Sequence, residues 1–421
     1  MTYRWINRLF TLAVFSMPPV VGSVASVMWH GGALWCAFEI LSGRRRLSPD
    51  TAMRWIALLM LVYVAANLVA FLANEPTLDM AYKLLPLSTF LLFPFSYSVW
   101  TISDREEVAH ALLAGCAIAS FGALVLALVQ FIFLDMRAEG GAGNALVFAD
   151  VASLAGLSCL AGALAFENRR PFLLSIAFVA AFAAVTLSGS RSVWVLMIVL
   201  TLVQLFIFRR FVASLLKGRI LALAGFVIVV AVLASGLILD RFETLWHNVE
   251  RLTEGGYYNT SVGLRVALWK TGAQLFAESP VFGHGMQNVT ALIHQRLLDD
   301  FGLKVGFTHF HNGFLTIVVE SGIVAGLAIF AMFALIAVLA VRSLKQRQDP
   351  LARLGATLLL MLIVVYAGGG SVNLIFGHDI LDTVFMMFLV VGLFLSNGTS
   401  RLSDAEQEPG SVASTGPVHR L

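Results

Sequence analysis

Apolar residues run along this chain in long blocks, separated by short clusters of Lys and Arg or by Gly and Pro. A hydrocarbon core about 30 Å thick takes roughly 20 apolar residues in a helix. On that measure the pattern predicts about twelve spans, near 7–23, 24–42, 54–73, 84–102, 108–134, 145–166, 171–188, 192–208, 219–239, 313–341, 354–376 and 380–397. From Leu9 to Phe38 no charge interrupts the run. Met17-Pro18-Pro19 and Gly31-Gly32 therefore fit either two short helices or one long kinked one. No small-residue cleavage site leads into a polar region, so this opening stretch reads as retained.

Two pieces fall outside the apolar blocks. Residues 240–312 make one loop far longer than an ordinary connection, and loops of that length in a compact body are usually functional. Within it Val262, Val266, Trp269, Ala273 and Phe276 recur at helical spacing, Arg265, Lys270 and Gln274 take other faces, and Glu278-Ser279-Pro280 ends the run. That pattern predicts an amphipathic helix near the membrane surface. Residues 398–421 are rich in Ser, Gly, Glu and Pro without apolar periodicity and read as a disordered tail. The chain therefore divides into nine helices over 1–239, the loop 240–312, three helices over 313–397, and the tail.

Composition agrees. Of 421 residues 59% are hydrophobic and only 13% charged, with mean hydropathy +0.85, whereas a soluble domain carries about 25% charged residues. A soluble cytosolic enzyme is excluded, and the fold class expected is an all-α polytopic membrane bundle. A net charge of +3 gives no argument for nucleic acid. Cys36, Cys116 and Cys159 lie far apart in apolar segments, so neither a disulfide framework nor a thiolate metal site is supported. With the N-terminus inside, the inward loops collect clusters such as Arg44-Arg45-Arg46 and Arg209-Arg210, while the short outward loops hold only Lys83, Arg137 and Arg191. This bias puts both termini in the cytoplasm and the long loop outside.

Six of the nine histidines fall on the outward side: His247, His284, His294, His309, His311 and His378. The densest group is Thr308-His309-Phe310-His311-Asn312-Gly313, where the long loop re-enters the membrane. Three readings stand: a histidine pair snorkelling at the headgroups, a zinc site needing a further ligand, or a general base whose free pKa of about 6.5 suits proton removal near neutrality. Arg191, in Ser188-Gly189-Ser190-Arg191, must sit at the outer membrane face; it either pairs with Asp150 or Asp135 or grips a phosphate through its planar fork. Arg265 reads as a solvated helix position or as the second half of such a clamp. Glu320 is nine residues beyond His311, about 13 Å deeper on one helix, and reads as a structural acid.

The run Gly140-Gly141-Ala142-Gly143-Asn144 reads as a turn, or as backbone N–H groups beside a phosphate or sugar. Gly368-Gly369-Gly370-Ser371 with Asn373, His378 and Asp379 forms a last outward hairpin, placed to join the same cavity but with no role assigned. No DxD pair, P-loop, post-strand GxGxxG or GxSxG elbow marks a nucleotide-sugar or NTP site, so a glycosyl donor would arrive through the lipid phase or from outside.

Three of these segments together resemble the O-antigen ligase and polysaccharide polymerase superfamily. They are Ser188-Gly189-Ser190-Arg191; Gly263-Leu264-Arg265-Val266-Ala267-Leu268-Trp269 with Pro280-Val281-Phe282-Gly283-His284-Gly285; and His309-Phe310-His311-Asn312 with Glu320-Ser321-Gly322. The resemblance implies a GT-C type fold and a glycosyltransferase of the bacterial inner membrane with a periplasmic active site, needing no cofactor or metal. It implies an undecaprenyl-diphosphate-linked glycan as donor and lipid A-core, or a further lipid-linked glycan, as acceptor. Arg191 and Arg265 would hold the diphosphate and His311 would be the base, with His309, Asn312 and Asn144 contacting substrate. The ligase is preferred to the polymerase. A transporter of lipid-linked glycan is the reading from another class; it would place ionisable groups at mid-membrane depth in several helices, whereas here they gather at the outer face.

Overall fold

A computed structural model describes residues 3–166, 171–209, 212 and 246–397. The expected span 219–239 and the tail 398–421 lie outside the described residues. The helices are α1 (Tyr3–Ser16), α2 (Pro18–Val21), α3 (Val24–Leu41), α4 (Thr51–Ala73), α5 (Leu87–Leu91), α6 (Phe93–Ser98), α7 (Arg105–Phe133), α8 (Ala145–Ala165), α9 (Pro171–Leu187) and α10 (Arg191–Ile207). After the long connection come α11 (Ser261–Glu278), α12 (Val289–Phe301), α13 (Gly313–Gln346), α14 (Pro350–Gly370) and α15 (Asp379–Asn397). No strand occurs among the described residues. The chain is an all-α polytopic membrane protein.

Among the described residues seven helices, α3, α4, α7, α8, α13, α14 and α15, are long and apolar enough to cross a membrane; α9 and α10 are apolar but shorter. Two expected spans are broken. The segment 7–23 ends at Met17-Pro18 and passes through α2 to Gly22, which resolves the opening run into separate elements. The segment 84–102 is a 3₁₀ turn (Leu78–Leu84) followed by α5 and α6, with Pro86 capping one and Pro94 opening the other. Proline cannot donate in a helix interior, so it sits at these starts.

Six of the described helix starts carry a side-chain cap that satisfies otherwise unpaired amides. Asp50 accepts from Ala52 N at 2.8 Å, Asp104 from Glu106 N at 2.8 Å and Thr260 from Gly263 N at 3.0 Å. α8 and α15 are apolar and buried on nearly every face and form the bundle's centre. The glycine run before α8 is a close contact with α2: a Cβ on Gly141 would lie 2.1 Å from the Val20 carbonyl oxygen, and one on Gly140 would lie 2.6 Å from that of Pro19.

α13 is interrupted. Gly322 has φ 75 and ψ 179, which ends the helical hydrogen bonding and frees the carbonyls before it. The turn after α11 fills the gap: His284 N donates to Val319 O, Gly285 N to Glu320 O, and Ile323 N to Pro280 O, each at 2.8 Å. Irregular backbone at membrane depth is tolerated where protein pairs it in this way. The joint extends to α4, where Ser321 Oγ donates to Asn67 Oδ1 at 2.7 Å and Gln287 Nε2 to Asn74 O at 2.8 Å.

Candidate functional site

The residues 302–312 bring the chain from α12 to α13 and present the two histidines. Phe310 is fully buried in a small core with Leu268 and Leu275 of α11, Ile293 of α12 and Val319 of α13. Anchoring Phe310 leaves its neighbours half-buried on the other side, with the His309 and His311 ring centroids 4.6 Å apart. Asn312 then caps α13, accepting from Leu315 N at 3.1 Å.

The hairpin after α14 closes over this pair. His309 Nε2 lies 3.2 Å from Asn373 Oδ1 and its Nδ1 lies 3.1 Å from Thr308 Oγ1. With the amide oxygen as acceptor, Nε2 carries the proton and Nδ1 takes the Thr308 hydroxyl, so both ring nitrogens are engaged. Burial, and next the neighbouring His311, lowers the His309 pKa to about 4; Asn373 opposes the fall. His309 is therefore neutral at physiological pH.

His311 differs. The Val372 backbone lies within hydrogen-bonding reach of its ring. Burial lowers its pKa, the Arg265 guanidinium lowers it further, and the Val372 bond opposes both. The ring also packs edge-on to Phe307 at 5.2 Å between centroids. Its backbone has φ 49, a left-handed conformation costing a residue with a Cβ about 1 kcal/mol or more relative to Gly. We therefore expect His311→Gly to be more stable than His311→Ala by about 1 kcal/mol, although both lack the imidazole; thermal unfolding in detergent measures the difference. Equal stability would mean that the loop relaxes out of this conformation.

Arg265 reaches the site from α11. Gly272, two turns along and on the same face, lets that helix close on Phe310 and Leu315: a Cβ there would lie 3.0 Å from the Phe310 ring and 2.6 Å from Leu315. The helix lies where the spacing predicts it, but its buried face is Gly263, Ala267, Leu268, Thr271, Gly272 and Leu275. The larger stripe is turned outward, with Trp269 40% exposed.

Arg191 opens α10 at the same end of the bundle and is exposed. Ser190 Oγ donates to Ala145 O at 3.1 Å, seating this helix start on that of α8. Asp150, a possible partner from the sequence, is buried against Gly369 of α14, and its Oδ1 has no hydrogen-bond partner. Arg137 donates from Nε to Ser188 O at 2.9 Å and so braces the turn before Arg191. Asn144 uses its Oδ1 to cap α8, accepting from Leu146 N at 2.9 Å and Val147 N at 3.2 Å.

The structure thus joins His309, His311, Arg265 and Asn312 around one loop and places Arg191 and Asn144 at neighbouring helix starts. His284 is used structurally, with Nε2 donating to Leu275 O at 2.7 Å. Among the described residues no group of three or more His, Cys, Asp or Glu side chains is arranged to hold a metal. Asn373 and the Val372 backbone are the contributors that residue-by-residue sequence reading did not assign.

The stretch 176–330 matches the family model described as O-Antigen ligase. That match covers 155 of the 421 residues. It runs from α9 through the joint in α13 and contains Arg191, Arg265, His309, His311 and Asn312; Asn144 and the hairpin residues Val372 and Asn373 lie outside it. The chain is also similar to an uncharacterized protein of Haemophilus influenzae (strain ATCC 51907 / DSM 11121 / KW20 / Rd), 24% identical over 157 residues. That alignment covers 37% of this chain and 39% of the relative.

Proposed function

We propose that this protein transfers a glycan from undecaprenyl diphosphate to a hydroxyl of lipid A-core on the periplasmic side of the bacterial inner membrane. The observation that carries the reading is the environment of His311: a half-buried imidazole 4.6 Å from that of His309 between centroids, with the Val372 backbone beside it and the Arg265 charge close enough to act on the ring.

The acceptor hydroxyl attacks the anomeric carbon as its proton passes to the unprotonated nitrogen of the neutral His311 ring. The bond from that carbon to the diphosphate oxygen breaks, and its electron pair leaves with the diphosphate. Negative charge grows on the leaving group, where Arg265 and Arg191 supply fixed positive charge without a divalent ion. A single displacement inverts the anomeric centre. His309, its own nitrogens engaged, holds the loop and borders the acceptor. The Nδ2 groups of Asn312 and Asn144, whose oxygens cap helices, donate to sugar hydroxyls. The donor's lipid chain stays in the bilayer beside the bundle.

The test is reconstitution of the purified chain with lipid-linked glycan in EDTA, offering truncated lipopolysaccharide or additional donor as acceptor. Glycan on lipopolysaccharide is the expected product. A ladder of lipid-linked glycan without it makes the protein a polymerase instead. Activity that returns only with added zinc would overturn the two-arginine account.

A further inference from the structure

The end of the bundle opposite the histidines holds a second recess. α8 and α10 finish there, α13 finishes beside them, and α14 begins. Between these ends lies a cavity of about 700 Å³ whose lining includes Phe206, Phe208, Arg209, Leu344, Lys345 and Arg353. Among the described residues, none that lines it is a carboxylate. Asp349, the nearest acid in sequence, is turned elsewhere: it pairs with Arg105 at 3.0 Å and caps α14 by accepting from Leu351 N and Ala352 N at 3.2 Å.

The cations are held rather than loose. The Arg209 guanidinium stands 4.7 Å over the Phe206 ring and that of Arg353 stands 5.3 Å over Phe208. Arg353 also donates from Nη2 to the Ile207 carbonyl at the end of α10. The aromatic face keeps the Arg209 guanidinium oriented, in the geometry in which its N–H edge can meet an anion. The outer wall is apolar, and Phe206 is 66% exposed on the side where acyl chains would lie. An anionic head, an interfacial depth and an apolar exit make an amphiphile the matching ligand.

We propose that this recess binds the headgroup of an anionic phospholipid, with the phosphodiester between Arg209 and Lys345 and the acyl chains leaving over Phe206 and Leu344. In the orientation proposed above the lipid belongs to the cytoplasmic leaflet. Basic pockets between transmembrane helices on that side suit such headgroups. The inference is independent of the glycan-transfer reading, since no residue is shared with the histidine site.

The experiment is native mass spectrometry of the full-length detergent-purified protein titrated with phosphatidylglycerol or phosphatidylcholine. Wild type should retain phosphatidylglycerol selectively. The double variant Arg209→Ala/Lys345→Ala should bind it roughly 30-fold more weakly, at about fivefold per cation. Arg209→Lys/Lys345→Arg keeps the charge and should keep most of the binding, which separates charge from misfolding. Equal retention by wild type and the alanine variant, or no preference for the anionic lipid, would overturn the proposal. So would displacement by millimolar glycerol 3-phosphate, which would assign the recess to a soluble phosphate.

Discussion

His311→Ala is expected to lower glycan transfer by about 10²- to 10⁴-fold while the protein still inserts and folds, since this is what one positioned proton acceptor supplies. The lipid-linked donor should then accumulate on the outer leaflet, because its delivery there does not use this residue; a transporter would strand it on the inner leaflet. The pH profile adds a readout that general damage would not reproduce. A base works when deprotonated, and burial together with Arg265 holds the His311 pKa below its ordinary value of 6.5. Activity should therefore persist below pH 6.5 and fall only when the ring at last takes up a proton. Arg265→Gln removes one of the two depressing influences, so the acid limb should move to higher pH. The same change should cost about 10²- to 10³-fold in turnover through lost stabilisation of the leaving diphosphate. A His311→Ala enzyme with near-normal transfer, or an acid limb unmoved by Arg265→Gln, would remove His311 from the chemistry.

Gly322→Val should destabilise the protein by at least about 3 kcal/mol, more than most single substitutions do. Two costs act together. The left-handed φ of 75 penalises a β-branched residue, and a Cβ at this position would lie 1.9 Å from the Val281 carbonyl oxygen. Relief would require the 280–285 turn to withdraw, and the backbone hydrogen bonds that fill the break in α13 would go with it. Fluorescence-detected size exclusion after a heating series measures the loss. Gly302→Ala is the control: its φ of 65 is similar, but nothing lies within 4 Å of the added carbon, so about 1 kcal/mol is expected. Comparable stability for the two variants would show that the joint does not constrain the fold.

The broad architecture was legible because long apolar blocks have few alternatives in a membrane, and the histidine pair was legible because polar groups concentrate where the loop re-enters. Other features were hidden for identifiable reasons. Hydropathy ranks Val262, Val266 and Trp269 above Gly263, Ala267 and Gly272, yet close packing on Phe310 rewards the smaller residues, so the buried face of α11 is rotated from the one the large side chains suggest. The break at Gly322 looks like an ordinary glycine in a transmembrane run, and its partners at 280–285 are some forty residues earlier. The Asn373 contact to His309 arises because α14 returns the chain to the site, a closure that local spacing does not encode. Two segments that define the family resemblance, Pro280 to Gly285 and Glu320 to Gly322, meet as one backbone joint, so part of that signature is architectural.

The tether at Asn373 also limits how this site can be moved between proteins. It lies beyond the stretch matched by the O-antigen ligase family, as does the Val372 backbone. A chimera built by exchanging only residues 176–330 would import both imidazoles and leave behind the groups that orient them, whereas one that also exchanges 371–378 would transplant an aligned pair.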